Sequence, residues 1–304
     1  MSENAPSIEQ IAAKSLGSAN SYAVYTDKFD ASVLNFMPRS GAREQWGITG
    51  DEFDGYDLWH GYEATFMLDS GQPVAGTLKV KFPVSNTHVV ESKSFKVYLN
   101  TFDMCRMGKT FLEAIRNYEN QIASDFRAAG LECEVRFFSG HVLVSAMRNH
   151  ELHPLSQARL IDVPAEITFD DYTGQGSYIK PHQPGSFNLI LTNVLRSRCR
   201  HTKQKDSGSA VFSLGGRLDQ EGLLKQVVSL REVNEFHEFC AEKLFVEVSK
   251  GYVGAGVFLI YSRRGSLDIH PVRYAKGLHE GHITRVLADK LGNMKYLHHN
   301  IMGQ

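Results

Sequence analysis

The sequence lacks most of the features that would assign it to a class at once. It has four cysteines, Cys105, Cys133, Cys199 and Cys240, far apart and with no CxxC pair. Thiols so sparse exclude a disulfide scaffold and a cysteine-ligated zinc ribbon, and they fit a reducing, cytoplasmic setting. No apolar run approaches the ~20 residues needed to span a bilayer, so no membrane association is expected. The opening MSENAPSIEQIAAKSLGSAN contains acids and no apolar block, and reads as a loosely held arm rather than a signal peptide. Net charge is missing as well. With 33 Lys and Arg against 34 Asp and Glu, the formal charge is −1, so no global field draws the chain to nucleic acid. There is no GxGxxG or P-loop pattern, so a dinucleotide must bind without the usual glycine-rich turn, and no GxSxG supports serine hydrolysis. His279 with His282, and His298 with His299, lack a third and fourth ligand at sensible spacing. No metal site is expected from them.

Against this neutral background one stretch stands out. Residues 194–209 read VLRSRCRHTKQKDSGS and surround Cys199 with Arg196, Arg198, Arg200, His201, Lys203 and Lys205. Guanidinium and ammonium groups do not follow a side chain unpaired into an apolar core, so this thiol is not expected to be a small buried hydrophobe. Nearby cations favour thiolate over thiol and lower the pKa from roughly 8.5. The competing reading is a solvated basic loop in which the cysteine is incidental. Because the positive charge is local, a small anionic ligand suits it better than a polymer.

A chain of 304 residues with 42% hydrophobic content can build one large domain or two ordinary ones. Two halves show the same order of elements. In the first, 59–68 and 74–83 are strand-like and separated by DSGQP, a hairpin signal. A helix follows, carrying Phe111, Ile115, Tyr118, Ile122 and Phe126 at three- and four-residue spacing, and then a second hairpin over 131–147. In the second half, strands at 187–195 and 209–216 flank the basic loop. Asp219 is expected to cap one helix and Asn234 another, and strands at 255–264 and 267–274 close the unit. The pattern predicts an α+β fold with antiparallel pairing. It divides into a lead-in over 1–50, a first module over 51–150, a connector rich in His, Pro and Asp over 151–184, and a second module over 185–304. Where two similar modules meet is the natural place for a site.

Three further stretches carry candidate chemistry. Residues 89–100, VVESKSFKVYLN, alternate as an extended segment, with Glu91, Lys93, Phe95 and Val97 on one side and Ser92, Ser94 and Lys96 on the other. NEFHEFC places Phe236, His237 and Glu238 consecutively at a helix start, a pattern that equally suits capping and surface charge. Arg263 and Arg264 precede Gly265, which suits phosphate recognition through forked donors and close backbone approach, or an exposed strand end.

Taken together, ESKSFKVYLNTF, the spacing from Cys199 to Asp206, NEFHE and RRGSLDIHPVR resemble the bimodular 7-cyano-7-deazaguanine reductases, the nitrile reductases of queuosine biosynthesis. The resemblance covers most of the chain, from about LGSANSYAVYTDKFDASVLNFMPRSG through RRGSLDIHPVR. It implies the tunnel fold, with two modules per chain and dimers of chains. It also implies that Cys199 attacks the nitrile carbon to form a covalent thioimide, with Asp206 as proton donor and His237 as a second proton source. Two NADPH molecules in succession would deliver hydrides to give the aminomethyl product, which is used in tRNA modification. Glu91 and Glu238, one from each half, match the carboxylates that recognise the donor-rich base edge. Val90, Ser92 and His237 match further substrate contacts, and Phe236 could stack on the ring. Ser92, Lys93, Arg264 and Gly265 match the NADPH contacts, with Ser94, Lys96 and Arg263 in support.

The sequence departs from the family pattern in places. Ser207 stands where tryptophan usually follows the aspartate, GGLDINP reads GSLDIHP with Ser266 and His270, KSNC reads RSRC, and the segment after about Arg285 matches poorly. Two other functions remain compatible with these residues: an amidinotransferase-like relative that adds an amine to a tRNA-bound nitrile, and a non-catalytic deazapurine- or tRNA-binding module. The former would keep the thiol and base pocket but lose the nicotinamide contacts. Intact ESKSFK and RRG favour the reductase.

Overall fold

The computed structural model describes residues 28–139, 158–162, 167–200, 202–262 and 265–277. In the first half they form β1 (Phe36–Pro38), α1 (Ser40–Trp46), β2 (Phe53–Met67), β3 (Pro73–Pro83), β4 (His88–Val90), α2 (Ser92–Asn100), α3 (Phe111–Ala128) and β5 (Glu134–Ser139). The second half holds β6 (Arg159–Leu160), β7 (Phe187–Arg198), β8 (Lys205–Gly215), α4 (Gln220–Val228), α5 (His237–Ser249), β9 (Val253–Tyr261) and β10 (Leu267–Ala275). Eight strands share one sheet in the order β5-β3-β2-β10-β9-β8-β7-β6, and β1 pairs with β4 in a separate ribbon. Pairing in the sheet is antiparallel except between β6 and β7. The α+β class read from the pattern is therefore what the chain adopts. No helix among the described residues is long and apolar enough to cross a membrane.

Local chemistry explains most elements. The β2–β3 hairpin turns where Gly71 adopts φ 88°, a left-handed conformation that a side chain would strain. Helix α3 starts at a capping box. Thr110 accepts from the Glu113 N–H, and the Glu113 side chain reaches back to the Thr110 N–H. Its buried residues Ala114, Tyr118, Ile122 and Phe126 recur every three or four positions and pack with Phe66, Phe82 and Phe137 into the core of the first half. Asp219 caps α4 as expected, accepting from the Gly222 N–H. In the second half, α4 and α5 bury Leu223, Val227, Leu244 and Val248 with Phe212, Leu214, Val257 and Leu259 of the sheet.

Three expectations change. Residues 92–100 are helical, not extended. The Glu91 carboxylate accepts from the Lys93 and Ser94 N–H groups, and Phe95, Tyr98 and Leu99 are buried on one face. The apparent alternation came from Phe95 and Val97, whereas the helical spacing of Phe95 and Leu99 decides the packing. Asn234 does not cap α5. Phe236 holds that position without a side-chain cap, and Asn234 forms a bridge with Arg198 while its amide donates to the Glu232 carbonyl. The basic stretch is also less of a loop than expected. Strands β7 and β8 pair as far as Arg198 opposite Lys205, leaving 199–204 as the turn. The partner strand expected for β5 at 141–147 lies outside the described residues.

The halves join edge to edge. Strand β2 pairs with β10 from Gly61 opposite Leu267 to Phe53 opposite Ala275. Behind this seam lies a buried ion network. Arg273 bonds Asp57 at 2.8 Å and Glu242 at 3.1 Å, Arg39 bonds Asp57 and Glu242, and Arg43 bonds Glu242 at 2.9 Å. Arg39 and Asp57 come from the first half, Glu242 and Arg273 from the second. Removing one partner would strand a buried charge at a cost of roughly 3–5 kcal/mol, so the network fixes how the halves dock.

Candidate active site

At the junction lies a cleft walled by both halves. Its walls include Val90, Glu91, Ser92, Lys93 and Lys96 from the first half and Cys199, Asp206, Phe236, His237 and Glu238 from the second. The hairpin accounts for the first pair. Ser197 faces Asp206 across β7 and β8, so Cys199, two residues on, lies on the same side of the ribbon as Asp206. Turn residue Lys203 takes φ 58°, and hydrogen bonds between Cys199 and Gln204 and between Lys203 and Cys199 close the loop. The segment before α5 is then pinned to this strand end. The Arg198 N–H donates to the Val233 carbonyl at 2.8 Å, and the Glu235 N–H donates to the Arg198 carbonyl at 3.1 Å. That clamp delivers Phe236, His237 and Glu238 beside the thiol.

Cys199 is half-buried in this cleft, while the other cysteines are elsewhere. Burial pushes the Cys133 thiol up to about 11 and the Cys240 thiol up to about 12, and it raises Cys105 as well. The cations around Cys199 are less available than the sequence implied. Arg196 and Arg198 pair with Glu232, and Arg200 pairs with Glu235 at 2.9 Å. Arg200 still lines the cleft, with its guanidinium 5.8 Å from the centre of the Phe236 ring. His201 lies outside the described residues.

Asp206 is only 4% exposed, and His237 Nε2 lies 3.4 Å from its carboxylate. The His237 ring stacks on Tyr261 with centroids 3.6 Å apart, and the Tyr261 hydroxyl bonds Ser197 at 3.2 Å. The acid and the imidazole are thus held in register by packing rather than by a loop.

Glu238 is 2% exposed. Its carboxyl is pushed up to about 8, first by burial and then by the Asp57 charge, against the pull of Arg39 and Arg273. Arg273 also donates to the Glu238 main-chain carbonyl. The seam network therefore holds this residue in place, and burial, adjusted by the network's charges, raises its proton affinity. Glu91 uses its carboxylate to cap α2, which aims it at the cleft while leaving lone pairs for further donors. Ser94 is buried. Its hydroxyl donates to the Glu91 carbonyl and accepts from the Asn35 N–H, so it braces the cap rather than lining the cleft. Lys96 approaches Gly265, where an added Cβ would sit 3.2 Å from its ammonium, and Gly265 takes φ 61°. Arg263 and Arg264 lie outside the described residues.

Sequence reasoning missed several residues of the cleft. Trp59, Leu267 and Ile269 supply an apolar wall, and Glu235 and Asp268 supply buried acids. Asp268 accepts from His60 and from His270 at 3.0 Å, and Tyr62 bonds its other oxygen. Burial opposes ionisation there, yet the two imidazoles hold the Asp268 carboxyl well below the usual range. Only the period-two alternation of β2 and β10 hinted that His60, Asp268 and His270 share one face, with Trp59, Leu267 and Ile269 on the other.

Residues 25–136 match the family described as nitrile reductase, 7-cyano-7-deazaguanine-reductase N-term. Over 263 residues the chain is 36% identical to an NADPH-dependent 7-cyano-7-deazaguanine reductase from Polaromonas sp., covering 83% of this chain and 90% of that protein. Proteins of the same name from Burkholderia orbicola and Burkholderia lata are 33% and 34% identical, each over 82% of this chain and 90% of their own. A thiol and an acid on one hairpin share their cleft with carboxylates from both halves, and this chain belongs to the family of NADPH-dependent 7-cyano-7-deazaguanine reductases.

Proposed function

We propose that this protein reduces the nitrile of 7-cyano-7-deazaguanine to the aminomethyl group through a thioimide on Cys199, a step of queuosine biosynthesis. The observation that carries this reading is the cleft shared by Cys199, Asp206, His237, Glu238 and Glu91. Glu238 and Glu91 accept the ring and amino N–H groups of the base. Phe236 offers it aromatic surface. This grip sets the nitrile carbon against the sulfur, so addition becomes effectively unimolecular. As the S–C bond forms, the nitrile nitrogen gains a proton, and Asp206 donates it. His237, in contact with Asp206, returns that proton or supplies the next. NADPH supplies two hydrides in turn. After the first, the C–S bond breaks, and Cys199 leaves as thiolate with an imine in its place. Asp206 or His237 would then provide the proton that accompanies the second hydride from bound NADPH, giving the amine.

The donor set fits NADPH. Lys93 and Lys96 offer cations at the cleft, Ser92 and the opening of α2 offer polar groups, and Gly265 leaves room that a side chain would fill. Arg263 and Arg264 are supporting candidates, while Ser94 serves the site only through the cap that holds Glu91. We extend the reading to a tunnel fold of two modules with boundaries near 51–150 and 185–304, to a homodimer, and to a cytoplasmic enzyme that acts on the free base without binding nucleic acid. The test is intact-mass analysis with the nitrile base in the absence of NADPH. A one-to-one adduct lost in Cys199→Ala supports the reading, and so does NADPH oxidation on adding the base. An adduct that survives the substitution refutes it.

A further inference from the structure

His60, Asp268 and His270 form a buried group, 1%, 4% and 5% exposed, whose three ligand atoms lie within 4.8 Å of one another. We infer that these residues bind a zinc-class divalent ion across the seam between the two halves. The proposal is independent of the nitrile chemistry. Asp268 stands directly opposite His60 across β10 and β2, and His270, two residues along β10, shares its face. One nitrogen from each ring, His60 Nδ1 and His270 Nε2, converges on the same carboxylate oxygen, Oδ1 of Asp268. Two imidazoles and a carboxylate are the donors a borderline divalent ion prefers. Zinc bonds of roughly 2.0–2.2 Å bring such donors to about 3–3.5 Å apart, and His270 and Asp268 already stand 3.0 Å apart. The two hydrogen bonds are what remains when protons occupy the place of the ion.

The surroundings suit this occupant. Tyr62, two residues beyond His60 on β2, bonds the other oxygen of Asp268, the outer-shell contact that fixes a ligating carboxylate. Asp268 stands on the face of β10 opposite Leu267 and Ile269, so the ion would sit apart from the apolar wall of the cleft. The site draws one ligand from the first half and two from the second. Its chemical role is to tie β2 to β10, and no step of the reduction passes through it.

Untagged full-length protein, stripped with a chelator, is loaded with Zn²⁺, passed through gel filtration and assayed for metal. One zinc per chain is expected, with an upward shift in melting temperature. His60→Asn and His270→Asn, each checked for folding by circular dichroism, should lose both. Co²⁺ should give visible d–d absorption without the cobalt–thiolate band that binding at Cys199 would produce. If neither variant folds, X-ray absorption of the zinc-loaded wild type decides, with two imidazoles in the first shell expected. Folded wild type that retains no zinc overturns the proposal. So does zinc retained equally by the folded variants, as binding at His279, His282, His298 or His299 would give, or a zinc shell without two imidazoles.

Discussion

The raised proton affinity of Glu238 makes base recognition pH-dependent in a specified direction. With its carboxyl pushed up to about 8, Glu238 is neutral in the free protein at pH 7; the ionised fraction is about one-tenth. A donor-rich base edge favours the ionised form, which accepts two N–H groups where the neutral acid accepts fewer. Binding must therefore expel the proton, and the apparent Kd equals the intrinsic value divided by the ionised fraction, which predicts roughly fifty-fold tighter binding at pH 8 than at pH 6. At pH 7 about 0.9 proton should be released per base bound. The measurement is calorimetry of the nitrile base with Cys199→Ala protein, without NADPH, in two buffers of different ionisation enthalpy. The Cys199→Ala background removes the sulfur and nitrile protons from the count. Glu238→Gln isolates this carboxyl from His237 and Asp206, and should flatten the profile and bind more weakly at pH 8. The same shift acts on stability. A folded-state pKa raised from 4.5 to about 8 means that the folded protein holds a proton the unfolded chain has lost. Its contribution to stability therefore falls as pH rises through that window, and Glu238→Gln should gain relative to wild type above pH 8. Affinity that is flat with pH in wild type, with no proton released, refutes the reasoning.

Other outcomes follow from single contacts. Asp206→Asn should bind the base with near-normal affinity while turnover falls by roughly 10²–10⁴-fold; a wild-type rate would remove Asp206 from the acid role. Gly265→Ala adds a Cβ at φ 61° and 3.2 Å from the Lys96 ammonium. Strain of about 1–2 kcal/mol should raise the KM for NADPH by about tenfold and leave base affinity unchanged, so equal effects on both would argue against the cofactor placement. Thr110→Ala removes the α3 capping box and should lower stability by about 1 kcal/mol, seen as a lower urea midpoint at constant m-value, without altering base binding.

Much of this protein was legible in short stretches. Helix α3 could be read because its cap and its apolar spacing both lie within its own residues, and the α4 cap at Asp219 for the same reason. The Cys199–Asp206 pair was legible because a hairpin keeps close in space what is close in sequence. Residues 92–100 misled because Glu91, a carboxylate outside the usual capping set, starts α2, and residues 91–97 also fit an extended alternation. The neutralisation of Arg196, Arg198 and Arg200 could not be read, since Glu232 and Glu235 arrive from a segment that only the main-chain clamp to Arg198 brings alongside. His60 and Asp268 are 208 residues apart and become neighbours only when β10 pairs with β2.

By itself, then, the sequence determined the class of fold, the hairpin that carries the thiol and acid, and the family. Tertiary structure alone decided which charges face each other: the pairing of the arginines, the proton held by Glu238 and the convergence of His60 with His270. Backbone preference and periodicity act over a few residues, whereas electrostatics acts through space, and burial at the seam between two distant strands sets its strength.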